Sequence, residues 1–217
     1  MHIPSGFLEP EVWIPMGAIA AGGVALAVKK TGEELDERRT PVMGVMAAFI
    51  FAAQMVNFPV LGGTSGHLMG AALAVAVVGM WPGIVIMTAV IIMQALLFQD
   101  GGIEALGANV FNMGILGCYI SGPMIGLGRR FGVRTTYVLM AAAGWLSVVG
   151  AAVLCAVELA LSGTSPLRVV LPAMTAVHAV IGIFEGVVTV LAFRFICSVK
   201  SDIVNTLSGA GSCGDSS

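Results

Sequence analysis

The chain opens MHIPSGFLEPE, and the histidine at its second position is one of only three. A histidine placed second can offer a metal three nitrogens at once: the α-amine of Met1, the deprotonated amide of His2 and the His2 Nδ1. Amine and amide close a five-membered chelate ring; amide and imidazole close a six-membered one. Three nearly coplanar nitrogens suit the tetragonal preference of nickel(II) or copper(II) and fit tetrahedral zinc poorly. Pro4 has no amide hydrogen to lose, and Pro4-Ser5-Gly6 reads as a turn that folds the terminus back. The plain alternative is an idle, solvated histidine.

A fourth nitrogen is available in Gly62-Gly63-Thr64-Ser65-Gly66-His67. Ser65 reads as a helix N-cap, which places His67 in the first turn of a helix, and as a candidate to support the ligands. That end of a helix disfavours cations, so an amide anion and nearby carboxylates have to outweigh it. Gln54, Asn57, Gln94, Gln99, Asn109 and Asn112 sit at the ends of apolar runs. They read as groups that orient the imidazoles, or as interhelical hydrogen bonds used for packing. His178 and Glu185, seven residues apart, share one helix face. His178 reads as support for the site. Glu185 lies deeper and reads as a structural hydrogen-bonding group in preference to a proton relay.

These groups need a scaffold, and the composition says which kind. Of the 217 residues, 58% are apolar and 10% charged, whereas soluble domains carry about 25% charged residues. The pattern predicts an all-α polytopic membrane protein with seven spanning helices. They are Trp13–Val28, Pro41–Phe58, Gly66–Met80, Gly83–Phe98, Leu106–Leu127, Thr135–Leu161 and Val169–Val199, with Trp81-Pro82-Gly83 as a hairpin between the third and fourth. With seven spans, Lys29, Lys30, Arg38, Arg39, Arg129, Arg130, Arg134, Arg194 and Lys200 fall on one side and only Arg168 on the other. The basic side is cytoplasmic, so the N-terminus is expected outside and the C-terminus inside. The outer side carries Glu9, Glu11, Asp100 and Glu104, with Glu158 near it, a field that would concentrate cations. Residues 1–200 read as one transmembrane metal-capture domain and 201–217 as a flexible tail. No cleavable signal peptide is expected, because the first residues lack a basic region.

Several classes are excluded. There is no GxxxxGK[ST] phosphate loop, no HExxH, no nucleophile with a convincing base and no CxxC pair. Catalysis is not expected, ATP-driven work needs a partner, and nothing points to nucleic acid.

The opening MHIPSGFLEPEVW resembles the N-terminus of the CbiM/NikM family, the substrate-capture components of energy-coupling factor transporters for cobalt and nickel. Gln54–Ala74 (QMVNFPVLGGTSGHLMGAALA), Gln94–Gly114 (QALLFQDGGIEALGANVFNMG) and His178–Thr189 (HAVIGIFEGVVT) resemble it too, in the family's order. Phe184 departs from the small residue expected before the glutamate. The resemblance is nearer the nickel branch. It implies a seven-helix fold with the N-terminal loop tucked into the bundle, and a square plane of Met1, His2 and His67 nitrogens around nickel, or cobalt, as transported substrate. It implies a prokaryotic inner or plasma membrane and a set of partners. These are a transmembrane coupling protein, two cytoplasmic ATP-binding-cassette ATPases and a small accessory membrane subunit. Small residues on the first helix, Ala18 with Gly22 and Gly17 with Ala21, suit a partner helix or packing within the bundle. Two other readings stay open: a stand-alone metal/proton transporter using His178 and Glu185, and a membrane scaffold in which His2 is incidental. An intramembrane enzyme is more distant.

Overall fold

The computed structural model describes residues 1–34, 39–60 and 64–208. Arg38, Gly62, Gly63 and the Gly/Ser-rich stretch after Ser208, all used above, lie outside the described residues. Among those described, the chain forms seven helices and one short hairpin. The order is α1 (Pro10–Glu34), α2 (Arg39–Gln54), β1 (Phe58–Val60), β2 (Thr64–Gly66), α3 (Ala71–Val78), α4 (Met80–Leu97), α5 (Leu106–Arg130), α6 (Val133–Leu161) and α7 (Leu167–Ser208). The strands pair antiparallel, Phe58 with Gly66 and Val60 with Thr64.

Long apolar runs make helices because a backbone in lipid must bond to itself. Five of the described helices are long and apolar enough to cross a membrane: α1, α4, α5, α6 and α7. Helix α2 is apolar but shorter. The chain is a multi-pass membrane protein by these runs. Leu, Val and Phe side chains such as Val138, Leu146 and Phe195 face outward, as lipid permits. Packing inside relies on glycine. A Cβ on Gly107 of α5 would come 2.4 Å from the Gly17 Cα of α1, and one on Gly144 of α6 would come 3.2 Å from the Gly186 Cα of α7. Such contacts bring backbones close where lipid supplies no hydrophobic drive. They also settle part of the small stripe on α1: Gly17 packs inside the bundle, while Ala18 and Gly22 stay exposed.

Four expectations need correction. The third span does not run from Gly66. Residues 64–66 are a strand, and α3 begins at Ala71 and lasts eight residues, about 12 Å at 1.5 Å per residue. That is well short of a bilayer, and all eight residues are buried. An interrupted helix is stable at this depth because protein, not lipid, surrounds it. Ser65 is therefore a strand residue, not an N-cap, and the N-cap position of α3 belongs to Gly70, with φ 83°. The turn between α3 and α4 is Gly79 alone, at φ 94°, while Trp81-Pro82-Gly83 lies in the first turn of α4. Proline is tolerated there because its missing N–H would have had no partner. Glu158 is no part of an acidic outer face, being 2% exposed. The last helix runs to Ser208.

The two ends of the bundle differ. One gathers the N-terminus, the hairpin, the end of α4 and the start of α5. Lys29 and Lys30, Arg129 and Arg130, Arg134 and Arg194 belong to the other end.

Candidate metal centre

Residues Met1–Ile3 form a buried arm: Met1 is 1%, His2 2% and Ile3 0% exposed. Asn109, at the start of α5, holds the arm as a neighbouring strand would. Its Oδ1 accepts from the Ile3 N–H at 2.8 Å and its Nδ2 donates to the Ile3 carbonyl at 3.1 Å. The Gly102 N–H adds a bond to the same carbonyl at 2.8 Å. Gly102 is obligatory for this seat, since a Cβ there would stand 2.3 Å from the Ser5 nitrogen. Glu104 accepts from the Gly6 N–H at 3.1 Å, and closes the turn made by Pro4-Ser5-Gly6.

The arm delivers its nitrogens to β2. The Met1 amine donates to the Ser65 carbonyl, and lies 3.0 Å from the Ser65 Oγ. The same hydroxyl lies 3.3 Å from the His2 amide nitrogen. Ser65 thus touches two of the nitrogens of the proposed chelate, a role the N-cap reading did not foresee. His67 lies in the irregular stretch between β2 and α3, so the objection that a helix terminus repels cations no longer applies. The His2 and His67 rings stack with centroids 4.7 Å apart and planes 27° from parallel.

Hydrogen bonds assign the tautomers. His2 Nε2 lies 3.0 Å from Gln94 Oε1, so that nitrogen carries the hydrogen and Nδ1 keeps its lone pair. His67 Nδ1 donates to the Leu68 carbonyl at 2.7 Å, and leaves Nε2 as the lone-pair atom. His178 Nδ1 donates to the Met174 carbonyl at 2.8 Å, again leaving Nε2. His2 Nδ1 and His67 Nε2 are then buried without a hydrogen-bond partner. A buried polar atom left unpaired is costly and calls for an explanation. A Lewis-acidic cation supplies one for His2 Nδ1 and His67 Nε2. Among the described residues no three His, Cys, Asp or Glu side chains converge on one point. A metal here must therefore draw on main-chain nitrogen as well.

Electrostatics favour unprotonated donors. Burial lowers the Met1 amine from 8.0 to about 5. Burial, then the adjacent terminal charge, lowers His2 from 6.5 to about 3. Burial likewise holds His67 well below the usual histidine range. A neutral amine keeps two hydrogens, enough for both Ser65 contacts. Beside the site a cavity of about 280 Å³ is lined by His2, Ser65, Asn57, Gln99 and Asp100, among others. Asp100 Oδ1 stands 3.4 Å from His2 Nδ1, and its other oxygen accepts from Asn57 Nδ2 at 2.9 Å. Burial raises the Asp100 carboxyl, offset by the nearby terminal ammonium and by Asn57.

The remaining sequence candidates divide. Gln94 and Asn109 touch the arm. Asn57 and Gln99 are exposed at the cavity mouth, and Asn57 reaches the His2 ring only through Asp100. Asn112 lies in a π-helical stretch of α5, Val110–Leu116, and donates to Glu158 at 2.6 Å, away from the chelate. Gln54 Nε2 donates to the Met69 carbonyl at 2.6 Å. Glu185 accepts from the main-chain N–H groups of Met69 and Gly70 at 2.8 and 2.7 Å. Phe184 points outward at 62% exposed, so its bulk does not reach the Glu185 packing. Ser65 was among the candidates read from the sequence, whereas the partners Gly102 and Asp100 were missed in these roles. Only the run of polar and glycine residues Gln99-Asp100-Gly101-Gly102 hinted at the last two.

The chain is similar to several known proteins. Residues 2–203 match the CbiM family, described as a cobalt uptake substrate-specific transmembrane region. A putative metal transport protein of Haloquadratum walsbyi is 41% identical, over 95% of this chain and 94% of its own length. A putative fused nickel transport protein, NikMN, of Archaeoglobus fulgidus is 34% identical over 97% of this chain and 70% of its own length. A cobalt transport protein, CbiM, of Sorangium cellulosum is 30% identical over 95% and 96%. A crystal structure of a transition metal transporter superposes with a TM-score of 0.85 at 34% identity, covering 96% of both chains.

Proposed function

The chain belongs to the CbiM family of cobalt and nickel transport membrane components, and on that premise we propose that it captures nickel(II), or cobalt(II), from outside the cell for ATP-driven uptake. The observation that carries the reading is the pair of buried, unpartnered lone-pair nitrogens, His2 Nδ1 and His67 Nε2, beside the Met1 amine and the His2 amide. Four nitrogens of this kind suit a square-planar ion, and nickel(II) among divalent ions takes that geometry readily. Amine and imidazoles whose protons are already disfavoured meet the metal with little proton competition.

The rest follows from family membership and charge. The basic end of the bundle faces the cytoplasm and the N-terminal arm faces outward, by the bias of Lys and Arg. The membrane is a prokaryotic plasma membrane. No phosphate loop occurs in the sequence, so ATP hydrolysis falls to partners: two ATPases, a transmembrane coupling protein and a small accessory subunit. A stand-alone metal/proton exchange using Glu185 finds less support, because both of its oxygens are taken by main-chain N–H groups.

The test is nickel titration of the purified chain in detergent, followed by calorimetry and visible absorption. We expect tight one-to-one binding with the absorption of square-planar nickel, and loss of both in His2→Ala and in His67→Ala. Equal binding by wild type and both variants would overturn the reading.

A further inference from the structure

The peptide joining Leu68 and Met69 is held from both sides. Its carbonyl accepts from His67 Nδ1 at 2.7 Å. Its N–H donates to Glu185 Oε2 at 2.8 Å. The next peptide, between Met69 and Gly70, is held in the same way. Gln54 Nε2 donates to its carbonyl at 2.6 Å, and its N–H donates to Glu185 Oε1 at 2.7 Å. Glu185 is 2% exposed, and it reaches this stretch from α7, more than 110 residues away in sequence. Its own position is set from behind, where a Cβ on Gly144 would meet Glu185 Cγ at 3.4 Å.

We propose that Glu185 is the residue that positions the His67 imidazole for the metal, through a chain of carboxylate, peptide and imidazole. The inference rests on His67 being a ligand, as proposed above. Metal-binding histidines commonly give their second ring N–H to a carboxylate or a main-chain carbonyl, which fixes tautomer and ring orientation. Here the two devices are in series. The carboxylate fixes the peptide, the peptide carbonyl holds Nδ1–H, and Nε2 is left facing the site. Polarisation along such a chain strengthens each bond. The same carboxylate takes the N–H groups of Met69 and Gly70, the two residues that lead into α3, ahead of the helix's own first N–H groups. This accounts for the interruption before α3. The strand-to-helix stretch must stay out of the helix to present His67, and Glu185 takes N–H groups that an earlier helix start would have used. Glutamine at this position keeps the size but turns an NH₂ group toward a main-chain donor, so one link breaks.

A double-mutant cycle on the full chain in detergent tests this, with nickel as probe. Glu185→Gln is expected to weaken nickel binding about tenfold to a hundredfold. On a His67→Ala background, read by calorimetry at nickel concentrations high enough to follow the weak binding left to the Met1 and His2 nitrogens, the same change is expected to cost nothing further, because its effect passes through His67. A loss that adds in full on that background, or no loss at all from Glu185→Gln, overturns the proposal. If His67→Ala itself binds nickel as wild type does, the ligand set fails first, and that outcome is distinct from the other two. If Glu185→Gln yields no folded protein, Gln54→Leu reads the chain from its other side. It is expected to weaken binding in the wild type but not in the His67→Ala variant, and equal losses in both overturn the proposal.

Discussion

Adding Gly-Ser ahead of Met1 tests the chelate at its least replaceable donor. The Met1 amine is buried against the Ser65 carbonyl and hydroxyl, and the Met1 side chain is 1% exposed. An extension must either thread a new peptide through that space or pull the arm out. In the first case at least one N–H and one carbonyl lose their partners, at about 1–3 kcal/mol each, or about 2–6 kcal/mol together. In the second, the burial of Met1 and Ile3 is lost, about 1.5–3 kcal/mol each, along with the two bonds from Ile3 to Asn109. Either route removes the amine from the metal as well. Nickel affinity should therefore fall at least about a thousandfold, or about 4 kcal/mol, with loss of the square-planar absorption. Two residues are needed, not one. A single added residue would put the histidine third, where amine, two amides and imidazole form a complete chelate without any help from the fold. Calorimetry and visible spectra of the extended and native chains decide the matter. Unchanged affinity and absorption in the extended chain would mean that the amine is no ligand, and the chelate reading would fall.

Acid should loosen the arm. The amine and His2 bind protons near 8.0 and 6.5 when free, but near 5 and 3 when docked. Between those limits the undocked form holds more protons, so the docked state loses stability as pH falls from about 8 towards 3. Asp100, raised by burial, acts in the opposite sense just above 3.8. Nickel-free thermal melting across this range should show stability rising with pH, and a falling trend from pH 5 to 8 would contradict the assignment. Neutralising Asp100 as Asp100→Asn should slow nickel association several-fold at low salt, flatten its salt dependence and leave dissociation nearly unchanged. Stopped-flow absorption reads both rates, and an effect confined to dissociation would refute a steering role. Gly102→Ala should lower nickel affinity at least about tenfold, because its Cβ would stand 2.3 Å from main chain that has no room to retreat. Gly126→Ala, where nothing lies within 4 Å, should leave affinity unchanged and serves as its control.

The run of apolar residues was enough to reveal a helical membrane protein, because spanning a bilayer demands long uncharged stretches whatever the packing. The donor set proposed at the terminus could be named for a covalent reason. Met1 and His2 are bonded to each other, so the sizes of their chelate rings do not depend on the fold. His67 could be named as a candidate, but not placed, and its assignment to a helix was wrong. Hydropathy measures the cost of moving a segment into lipid and is blind to which distant group holds a given N–H. Gly66–Gly70 looks like the start of a span until Glu185 and Gln54 arrive from other helices and take its peptide groups. The same blindness hid the burial of Glu158 against Asn112. It also hid which imidazole nitrogens keep their lone pairs, a choice made by Gln94 and by the carbonyls of Leu68 and Met174. The proposed terminal donors could thus be named from local bonds. Tautomer, orientation and access depend on hydrogen bonds closed across dozens of residues, and those exist only once the helices have packed.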